Sequence, residues 1–319
     1  MTITAEIHVR LGTRASPLAL WQAEHVSERL NALSQGRIAC ELVKFTTSGD
    51  KLTTERLINA GGKGLFTREL DRALDEGEID IGVHSLKDVP SHLPERHAFV
   101  AFPKRADPRE GFLSPQAKSL DDLPSGAVLG TASLRREAQT LRARPDLKIV
   151  PFRGNVQTRM KKLQAGEAMA TYLAMAGLTR LGLDHLATAI PMADMLTAPC
   201  QGIVACTALD GALPTVVMDA LYRLTCPQSW ASALAERAFL VALDGSCRTP
   251  IAAHLFHDDD GTGRFEGEVL SPDGQSTWRV EQRLSAGFKE EDLKTLGRSA
   301  GEQIRAAAGG DLPSFSDDA

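Results

Sequence analysis

The chain has 319 residues, a formal net charge of −5 and 43% hydrophobic residues, and its pI is near 5.9. This length exceeds what a single hydrophobic core supports, so two or three globular domains are expected. The acidic balance argues against a general nucleic-acid or membrane-surface binder, and the lack of a run of about 18 apolar residues argues against a transmembrane helix.

The first two thirds of the chain alternate strand-like and helical patterns. Ile7–Leu11 predicts a strand, and Ser16-Pro17 predicts the N-cap and first residue of the next helix. Further strands are predicted at Cys40–Phe45 and Ile79–His84. The strand-like segments VLGT, LKIVPF and MATYLA follow, with the helical patterns SLRREAQTLRA and NVQTRMKKLQAG between them. This alternation predicts parallel or mixed sheets covered by helices.

The segment GGKGLF (61–66) is rich in glycine but follows no clear strand. It matches neither the phosphate-loop pattern GxxxxGK(S/T) nor the dinucleotide pattern GxGxxG. It is predicted to be a surface loop, compatible with a lid that carries Lys63. Thr67 is predicted to cap the helix that follows.

From about Gln228 the pattern changes. A helix is predicted from Gln228 to Leu243, and the strand-like segments IAAHLF, GRFEGEVL and TWRVEQRL follow, separated by turn-forming residues. These segments predict a small antiparallel sheet. A last helical pattern places Leu293, Leu296 and Ile304 on one face. The C-terminal part is therefore predicted to be α+β.

The cysteines and the N-terminus indicate a compartment. The five cysteines are scattered and form no CxxC pair, and the start MTITAEIHVRLGT has no basic region followed by an apolar one. These features predict reduced thiols, a cytoplasmic location, no secretory signal and no metal site.

Positive charge is concentrated between residues 130 and 162, which hold nine Lys or Arg and two acidic residues. Polar and basic residues also gather at four predicted strand-to-helix junctions: Arg14 and Ser16; Lys87 and Asp88; Thr131, Ser133, Arg135 and Arg136; Arg153, Asn155 and Arg159. Ligands of open α/β sheets lie beyond the carboxyl ends of the strands, and helix N-termini there attract anions. Because arginine binds carboxylate or phosphate through two hydrogen bonds, an anion site is predicted.

The basic residues are not all expected to bind a ligand. Arg142, Arg144 and the pair Lys161-Lys162 lie further along their helices or near the helix ends and are expected to be solvated or paired on the surface. Arg135 and Arg136 lie in a first helical turn, where a cation opposes the helix dipole at a cost of roughly 0.3–1 kcal/mol. An anionic ligand would offset that cost.

Seven segments, in this order, resemble the porphobilinogen deaminase (hydroxymethylbilane synthase) family: TRASPLALWQ, GGKGLF, DIGVHSLKDVP, GTASLRR, RGNVQTR, AGLTRLGL and DGSCRTPI. The resemblance implies two α/β domains like the lobes of type II periplasmic binding proteins, plus a small α+β C-terminal domain. It places domain 1 at 1–103 and 201–224, domain 2 at 104–200 and domain 3 at 225–319.

The family's reaction is a head-to-tail condensation of four porphobilinogen molecules, which releases ammonia and, after hydrolysis, hydroxymethylbilane on the way to haem. The resemblance implies a dipyrromethane cofactor held by a thioether to Cys247. It also implies a monomer with porphobilinogen as substrate and no nucleic-acid or membrane partner. Each pyrrole unit bears an acetate and a propionate, so the growing chain is a polycarboxylate that arginines can bind.

The resemblance also assigns residue roles. Cofactor contacts are implied for Lys87, Asp88, Thr131, Ser133, Arg135, Arg136 and Arg159. Substrate contacts are implied for Arg14, Ser16, Lys63, Arg153 and Arg180. Asp88 is implied to be catalytic, since a carboxylate near the pyrrole nitrogens stabilises the cationic intermediates and relays protons. A helix N-cap ahead of VPSHLP is the alternative role for Asp88, and a buried structural thiol is the alternative for Cys247.

Three positions depart from the family pattern. Ala132, Met169 and Cys200 stand where the family commonly has serine, aspartate and glycine, so local contacts are expected to differ.

Two other functions are alternatives. A type II anion- or polycarboxylate-binding protein without catalysis would carry an export signal and need no reactive thiol. A nucleic-acid or phosphate-binding protein would use the basic segment, but the acidic pI and the lack of interleaved aromatic residues count against it.

Overall fold

The computed structural model describes residues 7–51, 64–243 and 249–312. The strands in these ranges are β1 (Ile7–Arg14), β2 (Ile38–Phe45), β3 (Ile81–Ser85), β4 (His97–Ala101), β5 (Glu110–Leu113), β6 (Val128–Gly130), β7 (Lys148–Val150), β8 (Ala170–Ala174), β9 (Thr188–Ala189), β10 (Val204–Leu209), β11 (Ile251–His257), β12 (Gly263–Leu270) and β13 (Thr277–Leu284). The α-helices are α1 (Pro17–Leu33), α2 (Ser48–Lys51), α3 (Arg68–Asp75), α4 (Leu134–Ala143), α5 (Val156–Gln164), α6 (Met175–Arg180), α7 (Thr215–Leu224), α8 (Pro227–Ala242) and α9 (Glu290–Ala308). Short 3-10 turns lie at Leu86–Asp88, Asp184–Leu186 and Gly309–Asp311.

The chain divides into two compact units, passing from the first to the second after Ala106, returning after Gln201, and entering the second again after Ala233. The sheet of the first unit has the order β2-β1-β3-β10-β4, and a sheet of the second has the order β7-β6-β8-β5-β9. In both, three parallel strands are followed by one antiparallel strand from elsewhere in the sequence. The two α/β parts therefore share the topology of type II periplasmic binding proteins.

The first unit is built around α1 and its sheet. Ser16 is the N-cap of α1 and Pro17 its first residue, as predicted, and the Ser16 hydroxyl accepts a hydrogen bond from the Ala19 amide at 3.3 Å. Val26 and Leu30, one turn apart, are fully buried against strand residues of the same core. Since this packing fixes α1 on the sheet, the β1–α1 junction is held at a defined place.

The second unit also holds the C-terminal antiparallel sheet, in the order β11-β12-β13. Phe239 of α8 meets Phe265 of β12 edge to face, with ring centroids 5.4 Å apart, and α9 buries Leu293, Leu296 and Ile304. The predicted α+β character of this part is confirmed. The division into three domains, with the third starting at residue 225, stays a prediction.

Some local expectations differ from the structure. Asp88 ends the 3-10 turn Leu86–Asp88 and caps no helix, so its alternative role is wrong. Thr67 occupies the N-cap position of α3, but its side chain makes no capping hydrogen bond. Among the described residues, no helix has both the length and the apolar character needed to cross a bilayer.

Candidate functional site

Arg14 and Asp88 meet at the carboxyl edge of the first sheet. Arg14 ends β1, and Asp88 lies three residues beyond the end of β3, the parallel neighbour of β1. The Arg14 Nη1 atom lies 3.8 Å from Asp88 Oδ2, and the two side chains are 23% and 32% exposed. The Arg14 guanidinium also lies 4.3 Å from the centre of the Phe66 ring. The pair is therefore oriented and yet accessible to a ligand.

The turn that carries Lys87 and Asp88 is tied to its surroundings. The Leu86 amide donates to the Ile203 carbonyl at 3.0 Å. The Ser85 hydroxyl exchanges hydrogen bonds with the buried side chain of Gln22 on α1. Lys87 and Asp88 are both partly exposed beyond these contacts. Because the residues before them are fixed, their side chains start from a defined backbone.

His84, on β3, is a buried neutral residue close to this edge. Its Nε2 atom lies 3.0 Å from the Thr207 hydroxyl. Burial and, to a smaller extent, the positive charge of Arg14 lower the pKa of His84 to about 4. His84 therefore carries no charge at neutral pH and serves as a hydrogen-bonding group inside the unit.

This histidine predicts a pH-dependent stability. The ordinary pKa of His84 is 6.5 and its pKa in the folded protein is about 4. Its contribution to the free energy of unfolding is therefore complete above pH 6.5 and is lost as the pH falls toward 4. We expect the wild type to lose about 2 kcal/mol more between pH 7.5 and pH 5 than a His84→Asn variant does. Urea unfolding at the two pH values measures this difference, and parallel losses in both proteins would contradict it.

In the second unit, Thr131 and Ser133 shape the start of α4. The Thr131 amide donates to the Val150 carbonyl at 2.9 Å, and the Thr131 hydroxyl accepts from the Ser133 amide at 3.2 Å. Ser133 is the N-cap, and its hydroxyl accepts from the Arg136 amide at 3.4 Å. A hydroxyl that accepts such a bond can still donate its own hydrogen, so both side chains can bind an anion.

Arg135 and Arg136, for which an anionic ligand is predicted, lie inside the second unit, 4% and 6% exposed. Both guanidinium groups contact the fully buried carboxylate of Glu110, Arg136 at 2.6 Å. Arg136 also donates to the Tyr172 carbonyl at 3.0 Å, and Arg135 to the Leu196 carbonyl at 3.1 Å. The anion that offsets their charge in this structure is therefore internal.

Sequence reasoning missed Glu110. It opens β5, whose four residues are all buried. A carboxylate at the head of a fully buried strand needs a charged or hydrogen-bonding partner, because an unpaired buried charge is costly. That rule indicates a buried cation nearby, but the sequence does not show which one.

Three further predicted residues lie on the second α/β part. Arg153 follows β7 and is buried. Arg159, on the first turn of α5, donates through Nε to the Gly154 carbonyl at 3.0 Å. Gly154 has a φ of +116°, where a Cβ would lie 2.6 Å from Thr158, so glycine is required in this turn. Arg180 ends α6, and burial lowers its pKa to about 10, which leaves it protonated at neutral pH.

Arg142 and Arg144, expected to be solvated or paired on the surface, are partly exposed and paired, and they also have structural roles. Arg142 Nη1 lies 2.7 Å from the buried carboxylate of Glu268. Arg144 donates to the carbonyls of Leu120 and Leu123 and pairs with Asp146. Both arginines hold the end of α4 against neighbouring chain segments. Lys161 is exposed and Lys162 partly exposed, as expected.

The remaining predicted residues and the departures can be placed as follows. Lys63 and Cys247 lie outside the described residues. Cys200, where the family commonly has glycine, adopts a φ of +65°, a region that costs a non-glycine residue about 1–2 kcal/mol. Its amide donates to the buried carboxylate of Glu236, which helps to hold that conformation. Met169 packs against the core of the second α/β part, and nothing in the structure explains Ala132.

Comparison with known proteins identifies the family. Residues 9–213 match the family model described as porphobilinogen deaminase, dipyromethane cofactor binding domain, and residues 230–306 match porphobilinogen deaminase, C-terminal domain. The chain is 44% identical to porphobilinogen deaminase, chloroplastic, from Pisum sativum, over 94% of this chain and 82% of the pea protein. It is 44% identical to porphobilinogen deaminase from Nitrobacter hamburgensis, over 95% of each chain.

Among solved structures, this chain is 14% identical to a TRAP periplasmic solute binding protein from Desulfovibrio salexigens, with a TM-score of 0.44 and coverage of 72% of this chain and 75% of that one. The sequence matches span both α/β parts and the C-terminal sheet. These sequence matches establish the family of the chain. This chain belongs to the porphobilinogen deaminase family.

Proposed function

We infer that this chain is a transferase that condenses four porphobilinogen molecules head to tail into hydroxymethylbilane and releases ammonia, in tetrapyrrole synthesis. The observation that carries this inference is the match to both family domains, over residues 9–213 and 230–306. The enzyme uses a dipyrromethane cofactor. A non-catalytic polycarboxylate-binding protein of the same fold has no comparable support.

The donor groups fit this cofactor chemically. Two linked pyrrole units carry four carboxylates, which need cations and hydroxyl donors. The first unit offers Arg14 and Lys87 at the carboxyl edge of its sheet, and the second offers hydroxyls at the start of α4 and the arginines after β7. We propose that the cofactor is attached to Cys247 and that Lys87, Thr131, Ser133, Arg153 and Arg159 bind carboxylates of the cofactor or the growing chain.

The proposed role of Asp88 follows from charge. When bound, the cofactor supplies the terminal pyrrole carbon that attacks the first substrate. As ammonia leaves a substrate molecule, its methylene carbon becomes electron-poor and the pyrrole ring carries positive charge. The Asp88 carboxylate, oriented by Arg14, would stabilise that charge and accept the proton that the attacking pyrrole carbon loses when the new carbon–carbon bond forms. The Asp88 carboxylate is suited to this task because the surrounding cations would bind the carboxylates of the cofactor and substrate. Asp88 would then remain available to the positively charged pyrrole ring.

Arg135 and Arg136 have a less direct role in this proposal. Glu110 already occupies one side of each guanidinium group. Two buried arginines share this one carboxylate, so the cluster keeps a net positive charge that favours an anion at the start of α4. We propose that they act on cofactor carboxylates from this position.

The compartment and assembly state stay predictions. A monomer in the cytoplasm, acting on porphobilinogen without a nucleic-acid or membrane partner, is what the resemblance implies. Gel filtration of the purified protein tests the monomer, with a single species of 34.3 kDa expected from the chain mass.

The function is tested by incubating the purified protein with porphobilinogen. We expect consumption of substrate, release of one ammonia for each molecule consumed, and a linear tetrapyrrole that cyclises on standing. A protein that binds porphobilinogen without releasing ammonia would instead support the polycarboxylate-binding alternative.

A further inference from the structure

A chain of buried polar contacts runs from the start of α4 to the C-terminal sheet, all within the second unit. Arg135 Nη1 donates to Gln139 Oε1 at 2.9 Å, one helical turn further along. Gln139 Nε2 donates to Glu268 Oε1 at 3.0 Å. The other oxygen of Glu268 accepts from Arg142 at 2.7 Å and from Arg279. The side chain of Gln139 therefore connects Arg135 to the carboxylate of Glu268, which lies 129 residues from Gln139 in sequence.

Glu268 is a fully buried carboxylate in a β-hairpin. It is 0% exposed on β12, and alternate residues of a strand face opposite sides of the sheet. Burying an unpaired carboxylate is strongly unfavourable, so its three partners are needed to keep it there. All four groups must hold their places together, which makes the position of β12 and the position of α4 depend on each other.

Backbone packing supports the same dependence independently. The turn between β12 and β13 contains Gly274, with a φ of +73°. A Cβ at this position would collide with the carbonyl oxygen of Ala138 and lie 2.7 Å from the amide nitrogen of Arg142, both on α4. The hairpin thus touches the helix backbone itself, beside the contacts of Glu268.

We propose that Glu268 is a positioning residue for Arg135, acting through Gln139, so that the C-terminal hairpin sets the geometry of the carboxylate-binding start of α4. This inference rests on the proposed function of Arg135. Gln139 uses its oxygen for Arg135 and its amide for Glu268, so it transmits a shift of either one to the other. Loss of the Glu268 charge is expected to make the position of the Arg135 guanidinium less well defined, while Ser133 still caps α4.

The test compares Glu268→Gln with Val269→Ala. Val269 is equally buried on the same strand but, as the neighbour of Glu268 along the strand, faces the other side of the sheet, so its truncation weakens the sheet without touching the contact chain. Each apoprotein is loaded with preformed hydroxymethylbilane at increasing concentration, and the cofactor adduct is quantified by intact mass. The concentration for half-loading is expected to rise about 3- to 10-fold in Glu268→Gln. In Val269→Ala only the melting temperature should fall.

A double-mutant cycle shows whether Gln139 carries the effect. If it does, Gln139→Ala and Glu268→Gln together should shift half-loading, and KM for porphobilinogen, by less than the product of the single shifts. Independent shifts, or a Glu268→Gln variant that differs from Val269→Ala in nothing but melting temperature, would overturn the positioning role. A wild type that takes up no adduct and consumes no porphobilinogen would instead overturn the proposed function.

Discussion

Replacing Arg135 with leucine is expected to lower the free energy of unfolding by about 3–5 kcal/mol, because it leaves the buried carboxylate of Glu110 with one partner fewer. Arg135 is 4% exposed and Glu110 is 0% exposed, so water cannot replace the lost contact. The same change is expected to prevent cofactor loading. Urea unfolding measures the first effect, and intact mass after incubation with hydroxymethylbilane measures the second.

Two variants keep this prediction testable even if Arg135→Leu folds poorly. Arg135→Lys keeps the charge but loses the two-pronged geometry, so it should fold and still load weakly. Lys161→Leu removes a charge from an exposed position of the same basic segment and should change neither stability nor loading appreciably. Equal losses in Arg135→Leu and Lys161→Leu would mean that the segment acts through bulk charge.

Replacing Asp88 with asparagine is expected to slow porphobilinogen turnover about 100- to 1,000-fold, the effect of removing one well-placed group that stabilises transition-state charge. The change keeps the size and most hydrogen bonding of the side chain. Arg14 and Lys87 remain, so the apoprotein should still acquire cofactor. Cofactor occupancy by mass and substrate consumption are measured on the same sample.

A cofactor-loaded Asp88→Asn protein that turns over porphobilinogen at a near-normal rate would remove Asp88 from the catalytic role. Arg14→Lys provides a matched control, because it keeps a cation beside Asp88 but loses its second hydrogen-bonding arm. It should raise KM more than it lowers kcat if Arg14 binds substrate.

Local signals in the sequence were sufficient for part of the secondary structure. Ser16-Pro17 specifies the start of α1 through the backbone of its own first turn, and the structure confirms it. The turn-separated segments IAAHLF, GRFEGEVL and TWRVEQRL specify β11, β12 and β13 through their own alternation. These signals act over a few residues, so they can be read without knowing the tertiary structure.

Partners distant in sequence could not be predicted in this way. Glu110 and Arg135 are 25 residues apart, and Arg142 and Glu268 are 126 apart. Their meeting depends on how a helix lies on two sheets, which no local pattern encodes. The position of Arg135 in a first helical turn predicts an anionic ligand, which stays a prediction, and it does not reveal the internal partner Glu110. The same limit applies to Arg142: a paired position near the surface is predictable, but not that its partner is the buried Glu268.

We propose that this chain is an enzyme whose own cofactor is bound through Cys247, and the intact mass of the purified protein is the decisive measurement. We expect the wild type to have a mass above that of the 319 residues by two linked pyrrole units, and Cys247→Ser to show no excess. Peptide mapping should place the adduct on Cys247. A wild type of unmodified mass, or an adduct on Cys200 or Cys226, would show that Cys247 holds no such cofactor.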